Sequence, residues 1–249
     1  HTPPARTLAP HGIQPVCVRA TLNYLVPVEG GVVVVDAGFD PAGQVLREAI
    51  GDRKVLAVLL THAHIDHRAA AHLFDAPVYV GMGDVPWFDD DRVLHAIGPG
   101  LGRRLYGVPP RPKDLRGVQD GDVLYLGGTR FVAHRVPGHT PGSVAWQFRD
   151  VLFTGDAVQR PVDDDHLYPA PWTVSEDVRQ AWRSMRRLLH LDVNVLLDGH
   201  YGRTDDARWH LRQSLDAFDS DQPYEHPAQR PFGCAEGPLP SKHPSGIPP

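Results

Sequence analysis

Six consecutive residues, His62-Ala63-His64-Ile65-Asp66-His67, constrain this chain more than any other feature. They follow Val55 to Leu60, a run apolar at every position, which reads as a strand buried on both faces. On extended backbone, residues two apart point to the same side, so His62 and His64 can share one cation. Asp66 and His67 stand where the chain turns into a helix, and they diverge toward a second one. Imidazole nitrogen and carboxylate oxygen are donors that zinc favours. With 15 histidines in 249 residues, three His and one Asp at these places arise by chance on the order of 0.5% of the time.

Three distant segments repeat the layout of an apolar strand followed by a glycine and a ligand. They are Pro137-Gly138-His139-Thr140-Pro141-Gly142, Phe153-Thr154-Gly155-Asp156-Ala157 and Leu197-Asp198-Gly199-His200. Each alone is ordinary turn material. Taken with the first motif, they complete one set of three His and one of two His plus Asp, with a carboxylate left to bridge. Water held between two divalent cations loses a proton near neutral pH and becomes a nucleophile. Asp66 or Asp156 could hold that hydroxide in line for attack on a carbonyl. No G-x-S-x-G elbow is present, and none is needed.

Between these motifs, strand and helix patterns alternate. Val32 to Val35 reads as a strand ending at Asp36-Ala37-Gly38, and Pro41 to Ile50 as a helix with Asp40 as N-cap and Pro41 in the first position. Val123–Leu126 with Thr129–Val136, and Ser143–Phe148 with Val151–Phe153, read as hairpins. Helices are expected over Ser175–Leu191, with Val178, Ala181, Trp182, Met185, Leu188 and Leu189 on one face, and over Asp205–Phe218. A buried strand, Val193 to Leu197, lies between them. Such a mixture predicts sheets covered by helices, with chemistry on loops at strand ends.

The expected organisation is a single domain over residues 1–221, with an extended arm over 1–11, and a proline-rich tail over 222–249. The formal net charge is -5 and no Lys/Arg cluster forms a basic face, which disfavours a nucleic-acid partner. No apolar run approaches the roughly 18 residues of a membrane helix. The opening His1-Thr2-Pro3-Pro4 has no apolar signal core, so a cytoplasmic chain and one exported after signal removal both stay open. Cys17 and Cys234 lie far apart outside any C-x-x-C motif, as unrelated thiols or a single bridge. The pattern does not speak to oligomeric state.

The ordered set of motifs resembles the metallo-β-lactamase superfamily, with its H-x-H-x-D-H loop, G-H-T-P-G loop, T-G-D turn and late G-H, over Asn23 to Gly202. The resemblance implies an α+β fold, a four-layer αββα sandwich with two zinc ions per chain at one edge, iron or manganese being alternatives. It assigns His62, His64 and His139 to the first cation and Asp66, His67 and His200 to the second, with Asp156 bridging. Asp36 matches an early family Asp that supports the ligand loop, although a turn-forming Asp reads equally well from sequence alone.

Relatives that hydrolyse β-lactams usually carry Cys or Ser where Asp156 stands, whereas thioesterases and lactonases carry Asp. The expectation is therefore hydrolysis of an ester, thioester or lactone, with β-lactam hydrolysis ranked below it. A persulfide dioxygenase, which uses one iron held by two His and one Asp, is the oxidoreductase alternative. Arg203, Arg208 and Arg212 are scattered, which argues against recognition of glutathione carboxylates. Arg68-Ala69-Ala70 replaces the Gly pair of many relatives. Gly81 to Asp120, with Trp87, Phe88, Leu101 and Tyr106, is expected to contribute to a lid over a small-molecule substrate with an apolar acyl or ring group. His166, Tyr168 and Trp172 are placed at a substrate wall, and Tyr201 is either an oxyanion donor or a packing residue. His72, His95, His134, His190 and His210 lack ligand spacing and read as surface or structural residues.

Overall fold

The computed structural model describes residues 9–38, 40, 42–89, 108–161, 164–171 and 173–217. The first sheet comprises β1 (Gln14–Val18), β2 (Thr21–Val28), β3 (Gly31–Val35), β4 (Val55–Leu59), β5 (Val78–Gly81) and β6 (Leu115–Val118), hydrogen-bonded in that order. The second comprises β7 (Val123–Leu126), β8 (Thr129–Arg135), β9 (Val144–Phe148), β10 (Val151–Gly155), β11 (Val195–Asp198) and β12 (Arg203–Thr204), also adjacent in sequence order. Hairpin links make β1–β3 and β7–β10 antiparallel, whereas β3 to β6 run parallel, as do β10 and β11.

The valine run of β3 shows how one sequence serves two cores. Val33 and Val35 enter the central core between the sheets, where they join Leu59, Phe131, Trp146, Phe153 and Leu197. Val32 and Val34 face the other way, into an outer core with Leu46 and Ile50 of α1 (Gln44–Ile50). The second sheet does the same: Phe153 turns inward, while Leu152 packs outward with Met185 and Leu188 of α3 (Val178–Leu188) and Leu211 of α4 (Ala207–Ala217). Alternation along each strand thus builds four layers, helix–sheet–sheet–helix. Trp146 is fully buried and donates its indole N–H to the Leu60 carbonyl at 2.9 Å, which ties the sheets together. Truncating it to Ala would cost roughly 3–5 kcal/mol.

Two expectations change. Helix α1 begins at Gln44, not Pro41, because Gly43 takes a left-handed backbone (φ 66°) and interrupts the entry. Asp40 still caps it from a turn away, accepting the Val45 N–H at 2.7 Å; Pro41 lies outside the described residues. The described parts of Gly81 to Asp120 are body rather than lid. Met82–Phe88 forms a 3₁₀ helix whose Trp87 and Phe88 are buried in the outer core of the first sheet. There Phe88 carries the buried Arg68 guanidinium 4.2 Å above its ring. Leu101 and Tyr106 lie outside the described residues, as does Cys234. Ala9 and Ile13 are already packed in the central core. No helix among the described residues is long and apolar enough to cross a membrane.

Candidate metal centre

The seven expected ligands arrive from four segments of the chain at one edge of the two sheets. His62 and His64 follow β4 on extended backbone, and the short helix α2 (Ile65–Arg68) then carries Asp66 and His67. His139 sits between β8 and β9, Asp156 directly after β10, and His200 just past β11. The sheets are joined here, since the Val144 N–H donates to the Thr61 carbonyl at 2.8 Å. Two glycines make the convergence sterically feasible. A Cβ on Gly155 (φ 51°) would meet Thr61 Oγ1 at 2.2 Å, and one on Gly199 would meet His67 Cε1 at 2.6 Å and Asp156 Oδ1 at 2.8 Å.

Three overlapping groups of ligand atoms result: His62, His64 and His139; His62, His67 and Asp156; and Asp66, His67 and His200. In the first, His62 Nε2 lies 3.1 Å from both His64 Nδ1 and His139 Nε2. In the last, Asp66 Oδ2 lies 3.6 Å from His67 Nε2 and 3.7 Å from His200 Nε2. Asp156 stands between them. Its Oδ2 is 3.6 Å from His139 Nε2, while its Oδ1 is 3.3 Å from His67 Nε2 and 3.1 Å from His200 Nε2.

Hydrogen bonds on the far ring nitrogens settle which atom four of the five imidazoles offer. Ser175 Oγ donates to the Ala170 carbonyl (2.9 Å), so it accepts from His139 Nδ1 (3.2 Å). Thr61 Oγ1 donates to Asp36 (2.8 Å) and accepts from His62 Nδ1 (3.1 Å). His67 Nδ1 donates to Asp36 Oδ2 (2.8 Å), and His200 Nδ1 to the Ala20 carbonyl (2.7 Å). Each of these four rings, when neutral, therefore turns an Nε2 lone pair inward. Lone pairs facing one another at 3.1 Å cannot satisfy each other. Among the described residues, His67 Nε2 and Asp156 Oδ1 are buried with no well-formed hydrogen bond. A cation is what such a donor set fits.

The electrostatics divide the cluster. Burial, reinforced by neighbouring imidazoles, holds His62 and His139 well below the ordinary histidine range. Burial also opposes charge on His67, but the carboxylates of Asp156, Asp66 and Asp36 outweigh it and hold that ring well above the range. His200 behaves likewise: burial lowers it, Asp156 overrides, and it is pushed up to about 9. Burial would raise Asp156, yet His200 and His67 keep its carboxylate well below the usual values.

Several supports escaped the sequence reading. Ser175 appeared there only as a helix boundary. Asp198 is buried, and its Oδ1 accepts the N–H groups of His200 (2.9 Å), Tyr201 (2.6 Å) and Gly202 (3.0 Å), so it shapes the His200 loop. An Asp two residues before a Gly-flanked ligand is the signal that could have found it. Asp36 does contact the ligand loop, through Thr61 and His67. Tyr201 is buried with its hydroxyl unpartnered among the described residues; burial and then Asp198 and Asp156 push it up to about 12, so it remains a donor. His166 and Tyr168 both bond Asp164, at 3.2 and 2.7 Å, and Trp172 lies outside the described residues. His134 and His210 bond Gln147 and the Asp165 carbonyl, away from the ligand groups.

A sandwich of this topology, with His and Asp donors gathered at one edge, defines a family, and residues 18–200 match the model of the metallo-beta-lactamase superfamily. The chain belongs to that superfamily. It is 33% identical over 170 residues to the acyl-coenzyme A thioesterase MBLAC2 of Gallus gallus, covering 62% of this chain and 59% of that protein. The match thus spans about three fifths of that relative's length. It is 29% identical over 226 residues to the probable metallo-hydrolase YflN of Bacillus subtilis, covering 77% and 84% of the two chains. Among solved structures it is similar to TTHA1623 in a di-iron-bound form, with a TM-score of 0.56, 28% identity, and coverage of 81% and 94%.

Proposed function

We propose that this protein is a metal-dependent hydrolase with a dinuclear centre that cleaves a thioester or a related acyl bond. The observation that carries this reading is the place of Asp156, whose one carboxylate lies within 3.6 Å of His139 in one donor set and within 3.3 Å of His67 and His200 in the other. His62, His64 and His139 would hold one cation, Asp66, His67 and His200 the other, and Asp156 would bridge. When bound, such a pair acidifies water and polarises an acyl carbonyl. The remaining work falls to the chain itself. Asp36, Thr61, Ser175 and the Ala20 carbonyl fix the imidazoles before any ligand arrives, so little reorganisation is needed. Asp66 is 31% exposed, which supports a role for it in orienting an incoming water and accepting its proton. Similarity to an acyl-coenzyme A thioesterase supports the thioester over a lactone or a β-lactam. The di-iron form of TTHA1623 keeps iron beside zinc as a candidate metal.

The test is metal quantitation on the purified chain, followed by a panel of acyl-coenzyme A thioesters, aryl esters, lactones and β-lactams. Two cations per chain and thioester turnover are expected. One iron per chain with no hydrolysis of any member would overturn the reading.

A further inference from the structure

Asp84 lies in Gly81-Met82-Gly83-Asp84, just past β5, in the stretch the sequence reading assigned to a lid. It is fully buried, and among the described residues it belongs to none of the three groups of ligand atoms. Its Oδ2 accepts the Ala63 N–H at 2.9 Å and the Thr140 hydroxyl at 2.8 Å, and its Oδ1 accepts the Gly142 N–H at 2.6 Å. Ala63 separates His62 from His64, and Thr140 follows His139. One carboxylate therefore clamps the two loops that supply the three-histidine group. The close approach is built into the backbone on both sides. A Cβ on Gly83 would meet the Pro141 carbonyl at 2.7 Å, and one on Gly142 would meet the Asp84 backbone nitrogen at 2.3 Å. The Thr140 hydroxyl accepts in turn from Ser143 at 2.8 Å, so the clamp is fully hydrogen-bonded.

The opposite group is held by other means: His67 by Asp36, and His200 by the Ala20 carbonyl and Asp198. We infer that Asp84 is a positioning residue for the three-histidine half alone, setting the spacing of His62, His64 and His139 and thereby that half's affinity for a cation. The inference rests on the dinuclear reading above. Three donors converge on Asp84, and an amide in its place offers one oxygen and one N–H₂ group, so at least one donor would face another donor.

Zinc titrations against a competing chelator, run on the parent chain and on Asp84→Asn, test it. Groups that orient metal ligands typically contribute 10- to 100-fold to affinity. Asp84→Asn is expected to raise one of the two zinc dissociation constants by about that factor and the other by less than about threefold. In an Asp66→Ala background, where the three-histidine group is the intact one, the same large factor should recur for the remaining zinc. Equal weakening of both zincs, or of neither, would overturn the role of Asp84. A parent chain that binds fewer than two zincs would instead overturn the dinuclear reading. Should Asp84→Asn not fold, Thr140→Val removes one donor and keeps the carboxylate. It carries the same selective signature at about three- to tenfold, below the range for loss of the whole group.

Discussion

In the group His62, His64 and His139, every side chain is buried, and burial favours neutral rings at His62 and His139. In the pocket formed by Asp66, His67 and His200, one carboxylate reaches solvent, and neighbouring acids favour charged rings. The contrast teaches that buried imidazoles can be prepared for a cation in two ways. Burial favours free lone pairs in the first group, whereas the carboxylates around His67 and His200 favour protons there, which a cation would have to displace. Asp156 belongs to both halves and Asp66 to one.

The strongest way to break this division is Asp156→Ala. Loss of the shared carboxylate is expected to weaken both cations and to lower kcat/KM by at least about 10³-fold, several kcal/mol of lost electrostatic stabilisation. Metal quantitation should show both halves depleted, and retention of two cations with near-normal turnover would dissolve the bridging role. Asp66→Ala comes next. It should abolish measurable thioester turnover while leaving the three-histidine cation in place and the circular dichroism spectrum unchanged. Full activity in that variant would remove Asp66 from the chemistry.

The pH dependence sharpens the comparison further. In the metal-free chain His200 is raised from an unfolded value near 6.5 to about 9. The protonated His200–Asp156 contact therefore contributes stability that is fully present below about pH 6.5 and is lost as pH rises through about 9. Zinc affinity at the Asp66 half should climb across that window as the proton becomes easier to displace. Affinity at the three-histidine half should be nearly flat there. Equal slopes in zinc titrations over the window would erase the distinction. The smallest effect is expected from Ser175→Ala, which removes the acceptor of the His139 Nδ1 proton. A loss of about tenfold confined to the three-histidine cation, at the low end for such supports, should appear in the same titrations.

Much of this molecule was legible in the chain because the signals are local. Each donor-bearing segment follows an apolar strand, so the Val55–Leu60 and Phe153 neighbourhoods announce both a buried strand and a loop bearing donors. The two-sided burial of Val32 to Val35 is likewise written into four consecutive β-branched residues. The Gly127-Gly128 turn, with φ 52° and 68°, adopts the hairpin geometry that glycine pairs favour. Trp87 and Phe88 fill the outer core, with the Trp87 ring also 5.6 Å from that of His64, and apolar residues amid Gly and Pro read the same whether they cover a substrate or fill a core. Only the packing of the 3₁₀ segment onto the first sheet separates the two.

What the sequence determined unaided, then, was the donor inventory and the strand-end positions from which it is presented, since spacing along an extended backbone is a local property. Tertiary structure decided how those donors are aimed. Asp84 meets Gly142 across 58 residues and Ser175 meets His139 across 36. A buried carboxylate takes its partners from whichever loops the sheets bring to it. No local pattern encodes that choice, because it depends on where two sheets close against each other.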